Sequence, residues 1–229
     1  MRNNTNYYIE FYNIYLASDT MYNEETITIK KVQKRSRYYY LFCSNGEEFK
    51  FDQEIYYKYN LTENSVFSRD QFNTIVNENK FRLCMNTAIR LLSQRMHSVY
   101  EIKIKLRKKD FSYEIVNRVI DELDKMNLLN DQQFAKNYID ELIYRGQGKY
   151  KIINSLQKRG ISKEIIDENL HELGDSDSEE RRADEVLNKK IKSLAYKDIE
   201  PRKLKEKLIR HLISRGFSSD IVFKIIDKL

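Results

Sequence analysis

The apolar positions of residues 99–229 recur at helical spacing, in short stripes separated by turn signals. Three segments share the order leucine, basic residue, Gly or Asp, apolar residue, serine, acidic residue and isoleucine; they begin at Leu106, Leu156 and Leu212, 50 and 56 residues apart. An apolar residue four positions before each leucine lies on the same helical face. One short helix cannot bury such a stripe, so neighbouring helices must cover it. The pattern predicts tandem helical repeats.

Each of the three segments contains its own helix-end and helix-start signals. A Gly or Asp stands where a left-handed residue ends a helix, and a basic residue precedes it at the negative end of the helix dipole. Two positions later a serine is placed to cap the next helix. The helix-ending residues are Asp110, Gly160 and Gly216, and the capping serines are Ser112, Ser162 and Ser218.

An earlier apolar helix completes each repeat, so that one module has three helices in roughly 40–50 residues. Between the first and second helices of repeat 1, Ser98 and Glu101 have the spacing of a capping box. The second repeat has Gly146 and Gly148 at this boundary, and the third has Pro201 in the first turn of a helix, where its missing N–H costs little. The module therefore occurs three times.

The first third of the chain has a different pattern. Residues 26–51 alternate in the manner of an antiparallel meander, and Asn45-Gly46 predicts a hairpin with a type I′ turn. Residues 54–61 read as a short helix, and Ser68 with Gln71 predicts a capping box at the start of a longer one. Exposed tyrosines on such a sheet can stack nucleobases, but residues 1–80 have no basic surplus, which favours a plain packed sheet.

We therefore predict a mainly α protein, with tandem three-helix repeats in an elongated arrangement and a small β-rich N-terminal domain. Residues 8–16 can add a strand, and Gly174 opens a polar segment that we interpret as a hinge. The predicted divisions are residues 1–67 for the β-rich domain, 68–129 for a linking helix and repeat 1, 130–174 for repeat 2, and 175–229 for repeat 3.

Composition excludes several classes of protein. The 229 residues include six Gly and one Pro, too few turn residues for a β-sandwich or barrel. The two cysteines, Cys43 and Cys84, do not form a C-x-x-C pair, and the three histidines stand apart, so we expect reduced thiols and no metal site. We find no phosphate loop, dinucleotide fingerprint or nucleophile elbow. These patterns predict a protein that is not an enzyme and has no cofactor.

Targeting signals are missing from the pattern as well. No run approaches 18 apolar residues, and the start of the chain lacks the apolar run of a signal peptide. We expect a cytoplasmic protein with no membrane partner.

The positive charge is concentrated behind the β-rich segment. Residues 1–80 contain ten Lys/Arg and eleven Asp/Glu, whereas residues 81–229 have a net charge of +7. Basic residues recur on the second helix of each repeat or at its ends. Singly, each can be a dipole cap or solvated surface, but their recurrence favours a binding face for a polyanionic partner. This predicted face comprises Lys103, Lys105, Arg107, Lys109, Lys149, Lys151, Lys158, Arg159, Arg202, Lys205, Arg210 and Arg215.

An ordered set of motifs in the repeats resembles the RecX family of recombination regulators. The resemblance runs from about residue 80 to the C-terminus, and the preceding segment is similar to the β-rich extension of some members. Asp110 departs from the family pattern, which has glycine there. The residues that carry the resemblance are Ala88, Leu92, Arg95, Ser98, Glu101 and Leu106, then Leu129, Asp131, Phe134, Ala135, Tyr138 and Ile139, then Leu156, Lys158, Gly160 and Ile161.

The resemblance implies a function in DNA repair, recombination and the SOS response. It implies a monomeric protein that binds the RecA recombinase and its filament on single-stranded DNA and lowers ATPase and strand-exchange activity, with weak direct DNA contact possible. The alternative is an autonomous DNA-binding protein of helix-turn-helix-like modules. Such modules need base-reading Arg, Asn or Gln on a recognition helix, whereas the third helices here are acidic or mixed.

Overall fold

A computed structural model of the chain describes residues 26–172, 176–195 and 199–229. The strand predicted at 8–16 and the hinge predicted at Gly174 lie outside these residues. Four strands form the first part of the described chain: β1 Thr26–Arg35, β2 Tyr38–Cys43, β3 Glu48–Asp52 and β4 Val66–Ser68.

Ten helices lie in the described residues. Helix α1 separates β3 from β4, and the others follow β4. They are α1 Gln53–Lys58, α2 Arg69–Leu92, α3 Val99–Arg107, α4 Tyr113–Lys125, α5 Asp131–Tyr144, α6 Lys149–Gln157, α7 Lys163–Glu172, α8 Ser176–Leu194, α9 Pro201–Arg215 and α10 Ser219–Ile226.

The strands form one antiparallel sheet in the order β3-β2-β1-β4. This arrangement confirms the predicted meander, and the first two predicted helices after it are present as α1 and α2. Strand β4, whose Phe67 pairs with Ile27 of β1, was not predicted from the sequence. Three residues are too few for an alternating pattern to stand out.

The hairpin between β2 and β3 is at the predicted place, but its turn type was predicted wrongly. Of Asn45 and Gly46, only Gly46 has a positive φ, 83°. Its N–H donates to the Cys43 carbonyl at 3.1 Å, and the Cys43 N–H donates to the Glu47 carbonyl at 2.9 Å. These bonds define a type I turn followed by a glycine bulge. This is the geometry of a three-residue hairpin loop, whereas the predicted type I′ turn belongs to a two-residue loop. The Asn45 side chain accepts the Glu47 N–H at 3.1 Å and supports this loop.

The inner face of the sheet forms the core of the first compact unit. Ile29, Leu41 and Phe51 are fully buried against Ile55 of α1 and Phe72 of α2. Burial of this many large apolar side chains on one face leaves the other face of β1–β3 outside the core.

Repeats 2 and 3 each have a core made from their three helices. The apolar stripes predicted from the sequence provide it, because i, i+4 neighbours on each helix meet the stripes of the other two. The core residues are Phe134, Ile139, Ile152, Leu156 and Ile166 in repeat 2, and Leu187, Leu208, Leu212, Val222 and Ile225 in repeat 3.

The predicted helix ends are confirmed. The residues at the ends of the second helices are left-handed: φ is 64° at Asp110, 72° at Gly160 and 89° at Gly216. Aspartate is tolerated in this conformation, so repeat 1 keeps the same turn without glycine. The predicted serines also cap the third helices, because the hydroxyls of Ser112, Ser162 and Ser218 accept N–H groups three residues later at 3.3, 3.4 and 3.3 Å.

Candidate functional site

The second helices α3, α6 and α9 and the residues just after them hold the twelve predicted basic residues. Arg159 and Arg215 are partly buried near helix ends, whereas Lys109, Lys151 and Arg210 are examples of exposed ones. The ends of these helices are also where neighbouring repeats meet. The contacts at those ends decide which cations are available to a partner.

The C-terminal end of α6 contacts the N-terminal end of α3. The Ser98 hydroxyl donates to the Arg159 carbonyl at 2.7 Å and accepts the Glu101 N–H at 3.1 Å. Gly160 approaches so closely that a Cβ there would lie 2.4 Å from the Tyr100 Cβ. The second helix of repeat 2 therefore ends on the start of the second helix of repeat 1.

The same arrangement occurs one repeat later, where the C-terminal end of α9 contacts the N-terminal end of α6. The Arg215 carbonyl accepts the Gly148 N–H at 2.8 Å, and the Gly216 carbonyl accepts the Tyr150 N–H at 3.1 Å. A Cβ on Gly148 would lie 2.5 Å from the backbone of Gly216. Helix α9 thus ends on the start of α6, as α6 ends on the start of α3. We call these two contacts the repeat junctions.

An acidic side chain from the following repeat completes each junction. Asp131 Oδ1 accepts the Val99 N–H at 2.9 Å, and Glu179 Oε1 accepts the Lys149 N–H at 2.9 Å. Each carboxylate thereby satisfies a free N–H of the first turn of a second helix. Burial raises the pKa of the Asp131 carboxyl, and the bond from the Val99 N–H opposes that change.

The capping box predicted at Ser98 and Glu101 forms only in part. Ser98 caps the Glu101 N–H as expected, but the Glu101 carboxylate bonds two arginines: Arg95 Nη1 at 3.0 Å and Arg159 Nε at 3.3 Å. Bonds from a guanidinium to a carboxylate are stronger than bonds from a neutral amide. The carboxylate therefore joins the junction and does not bond the backbone.

Arg159 and Arg215, two of the predicted binding residues, hold the junctions. The Arg159 guanidinium lies over the Tyr138 ring at 4.1 Å and donates to the Ser155 carbonyl at 3.1 Å. Arg215 Nη1 donates at 2.7 Å to the carbonyl of Arg145, the C-cap residue of α5. Their contacts within the chain give both arginines a structural role, whatever else they bind.

The other predicted cations differ in their pairing and in their exposure. Lys205 forms an ion pair with Asp227 at 3.2 Å, and Arg202 with Glu206 at 3.6 Å. Lys103 and Lys105 are half-buried on α3. Arg107 is exposed and has an interaction within the chain, and the remaining exposed positions are Lys109, Lys149, Lys151, Lys158 and Arg210.

A basic cavity of about 590 Å³ lies where repeat 2 meets repeat 3. Burial lowers the pKa of His211 in its wall, and the positive charges of Lys190 and Arg215 lower it further. Sequence analysis assigned only Arg215 among the residues of this wall to a binding face. The charged residues that line the cavity are Arg145, Arg182, Glu185, Lys189, Lys190 and Arg215.

The missed cations of this cavity had a sequence signal. Arg182, Lys189 and Lys190 have i, i+7 and i+8 spacing, which places them on one face of α8. The predicted face was confined to basic residues on second helices, and α8 is a first helix. Among the described residues there is no cluster of three or more His, Cys, Asp or Glu side chains that could hold a metal ion. The helices that the structure describes include none that could span a membrane.

The repeated junctions and cores define the class: a protein of tandem three-helix domains. Three family models match in order along the chain: "RecX, first three-helix domain" over residues 84–123, "RecX, second three-helix domain" over 130–170, and "RecX, third three-helix domain" over 177–226. The chain belongs to the RecX family. The resemblance drawn from the sequence motifs is thereby confirmed, and so is the predicted fold class of three-helix repeats behind an N-terminal antiparallel sheet.

Relatives that align over most of the chain are regulatory proteins RecX. The regulatory protein RecX of Clostridium perfringens (strain SM101 / Type A) is 32% identical over 204 residues, which are 89% of this chain and 95% of the relative. That of Clostridium beijerinckii is 30% identical over 87% of this chain and 93% of its own length. The family to which the chain belongs is therefore one of regulatory proteins.

Solved structures share the fold. A crystal structure of a regulatory protein RecX superimposes with a TM-score of 0.61 at 22% identity, over 88% of this chain and 99% of the other. RecX from Lactobacillus salivarius gives a TM-score of 0.56 at 24% identity, over 66% of this chain and 97% of the other.

Proposed function

We propose that this chain binds the RecA recombinase and its filament on single-stranded DNA, and lowers the ATPase and strand-exchange activity of RecA. The observation that carries the proposal is the ordered match of three RecX domains over residues 84–226. Its role is regulatory, in recombination and DNA repair.

The repeat junctions support a shared binding face on the second helices. Equivalent ends of α3, α6 and α9 meet at the junctions, and each of these helices has basic residues between its ends, although only the cation just before the helix-ending residue occurs in all three repeats. A filament also presents the same surface at each protomer, so recurring cations fit a recurring acidic partner. Lys105, Lys151 and Arg210 represent this face in repeats 1, 2 and 3.

The test is inhibition of RecA by a charge-reversal variant. K105E/K151E/R210E places one reversal on each second helix and leaves Arg159 and Arg215 in the junctions. A matched control, K80E/K163E/K192E, makes the same change in net charge at exposed positions of α2, α7 and α8. Each protein is titrated into RecA on single-stranded DNA while ATP hydrolysis is followed.

We expect the second-helix variant to lose inhibition and the control to keep it. Circular dichroism and urea unfolding of both variants establish that they are folded. Full inhibition by a folded K105E/K151E/R210E protein would refute the role of this face. No inhibition by the wild-type protein at saturating concentration would refute the function itself.

A further inference from the structure

The outer face of the N-terminal sheet has a row of aromatic side chains that lie outside the core formed by the described residues. Along β2, buried Tyr39, Leu41 and Cys43 alternate with half-buried Tyr38, Tyr40 and Phe42, which lie on the opposite face. Alternate residues of a strand are about 7 Å apart. This is about twice the ~3.4 Å rise of stacked bases in a strand of duplex DNA.

Cations flank this aromatic row on both neighbouring strands. Lys31 and Arg35 of β1 are directly opposite Phe42 and Tyr38, and Lys50 of β3 is opposite Tyr40. The β1–β2 turn adds another cation, Arg37, whereas β3 contributes two carboxylates, Glu48 opposite Phe42 and the buried Asp52 opposite Tyr38. Four cations against two carboxylates leave the local net charge positive, although residues 1–80 as a whole have a slight acidic excess.

The cations already lie over the rings. Lys50 Nζ is 3.8 Å from the centroid of the Tyr38 ring, and the Arg37 guanidinium is 5.3 Å from it. The Arg35 guanidinium is 4.7 Å from the centroid of the Tyr40 ring. A base stacked on an aromatic ring gains more than an exposed cation loses on leaving it. The long side chains can then turn to the phosphates that accompany each base.

We propose that this outer face binds single-stranded DNA, with bases stacked on Tyr38, Tyr40 and Phe42 and phosphates paired with Lys31, Arg35 and Lys50. Unpaired bases are required, because only they expose the faces that stack on aromatic rings. An acidic protein surface would pair with the cations but would provide no flat ring to stack on the three aromatic side chains. The choice of DNA over RNA rests on the proposed function, since the RecA filament contains single-stranded DNA.

The test is binding of a fluorescein-labelled 15-nucleotide oligo(dT) to the full chain, measured by fluorescence anisotropy without RecA. The Y38L/Y40L variant keeps apolar side chains on the strand but removes the stacking rings, and we expect at least about tenfold weaker binding. A control, Y113L/Y144L, removes two exposed tyrosines from the repeats and is expected to bind like the wild type. An abasic oligomer of the same length should also bind at least about tenfold more weakly.

Salt dependence tests the cations separately. R35E/K50E should bind more weakly and should reduce the slope of log affinity against log salt by about 1.4, since each phosphate contact to a single strand contributes about 0.7. An unchanged slope would contradict the assigned phosphate contacts.

Four results would overturn the proposal: no binding of oligo(dT), equal binding by folded Y38L/Y40L, equal binding of the abasic oligomer, or tighter binding of oligo(U) than of oligo(dT). Light scattering, which measures the oligomeric state, tests whether a second copy of the chain occupies the face. A dimer that Y38L/Y40L abolishes, without oligo(dT) binding, would assign the face to a second copy of the chain. Because RecA is absent from these assays, their failure leaves the ATPase test of the proposed function untouched.

Discussion

The Ser98 hydroxyl connects two helices that are far apart in the sequence: it lies 2.7 Å from the carbonyl oxygen of Arg159, 61 residues away, and donates to it. The hydroxyl oxygen of Ser98 also accepts the Glu101 N–H at the start of α3. One fully buried hydroxyl therefore caps one helix and satisfies a carbonyl at the end of another.

We predict that Ser98→Ala lowers the free energy of unfolding by about 2–3 kcal/mol. Loss of an N-cap costs about 1 kcal/mol, and a buried carbonyl left without a partner adds about 1–2 kcal/mol. Ser162→Ala is the matched control, because Ser162 caps α7 at an exposed position and should cost about 1 kcal/mol. Urea unfolding measures both, and equal losses would contradict the second role of Ser98.

Gly148 should be intolerant of any side chain, even though its φ is −85°, a value that other residues adopt freely. A Cβ there would lie 2.5 Å from the backbone of Gly216, which cannot move without opening the junction. We predict a loss of about 3 kcal/mol for Gly148→Ala, at the upper end of overpacking. Gly46→Ala is the control, because a Cβ there meets nothing within 4 Å and only the positive φ costs energy, about 1 kcal/mol. Thermal or urea unfolding that ranks the two variants in the opposite order would be inconsistent with a close junction.

Substitution of Arg159 should lower stability, whereas substitution of its neighbour Lys158 should not. We predict that Arg159→Ala lowers the free energy of unfolding by about 1–2 kcal/mol, since it removes a half-buried ion pair with Glu101 and a cation–π contact with Tyr138. Lys158→Ala, at an exposed position, should stay within about 0.5 kcal/mol of the wild type. Denaturant unfolding provides the comparison, and an unaffected Arg159→Ala protein would remove Arg159 from the junction's energetics.

His97 should make the protein less stable in mild acid. Burial lowers its pKa, and the charges of Arg95 and Lys105 lower it further, although the bond between Nδ1 and the Arg95 carbonyl at 2.8 Å opposes this change. The unfolded chain, with a histidine pKa of about 6.5, then binds more protons than the folded chain. The stabilisation is complete above pH ~6.5 and is lost as the pH falls toward the folded pKa.

The measurement for His97 is the free energy of unfolding in urea at pH 7.5 and pH 5.5. His97→Asn keeps a donor near the Arg95 carbonyl but has no titrating ring. We expect the wild type to lose more stability than this variant between the two pH values. His211, whose pKa is also lowered by burial, contributes equally to both proteins. Parallel losses would exclude His97 as a source of acid sensitivity.

The two thiols should be inert in the folded protein. Burial raises the pKa of Cys43 to about 11, with the charge of Glu47 adding to it, and raises that of Cys84 to about 12. At pH 8 only about one Cys43 in a thousand is then the reactive thiolate. We predict no reaction of either thiol with a disulfide reagent in buffer and reaction of both in guanidinium. Tyr144→Cys, at a position 92% exposed, should add one thiol that reacts at once. Rapid labelling of the native wild type would contradict this burial.

Local signals in the sequence predicted the helices, their caps and the left-handed ends, because each depends on residues within one turn. The junctions have no such signal. Their partners are backbone groups of Arg159, Arg215 and Gly216, and a carbonyl looks the same in every residue. The glycines at 148, 160 and 216 could be interpreted as helix punctuation, but the close approach of a distant backbone depends on tertiary structure.

Charge shows the same division between local and tertiary information. Sequence analysis located the basic residues of the second helices correctly, yet it could not separate Arg159, held by Glu101 and Tyr138, from exposed Lys158. On the N-terminal sheet, the average over residues 1–80 hid a local cluster, because register brings Arg35, Lys50 and Tyr38 together from three strands. Strand register has to be known before such a cluster can be recognised.

The repeat junction has a direction. At both junctions the end of a second helix contacts the start of the second helix of the preceding repeat. Repeat 2 takes part in both repeat junctions, through Gly148 at the start of its second helix and through Arg159 and Gly160 at the end of that helix. A duplicated copy of repeat 2 would meet its own copy through backbone groups that are already used. Duplication of a module can therefore add a repeat, and deletion can remove one, without a new kind of interface, so the length of partner that such a protein spans can change one module at a time.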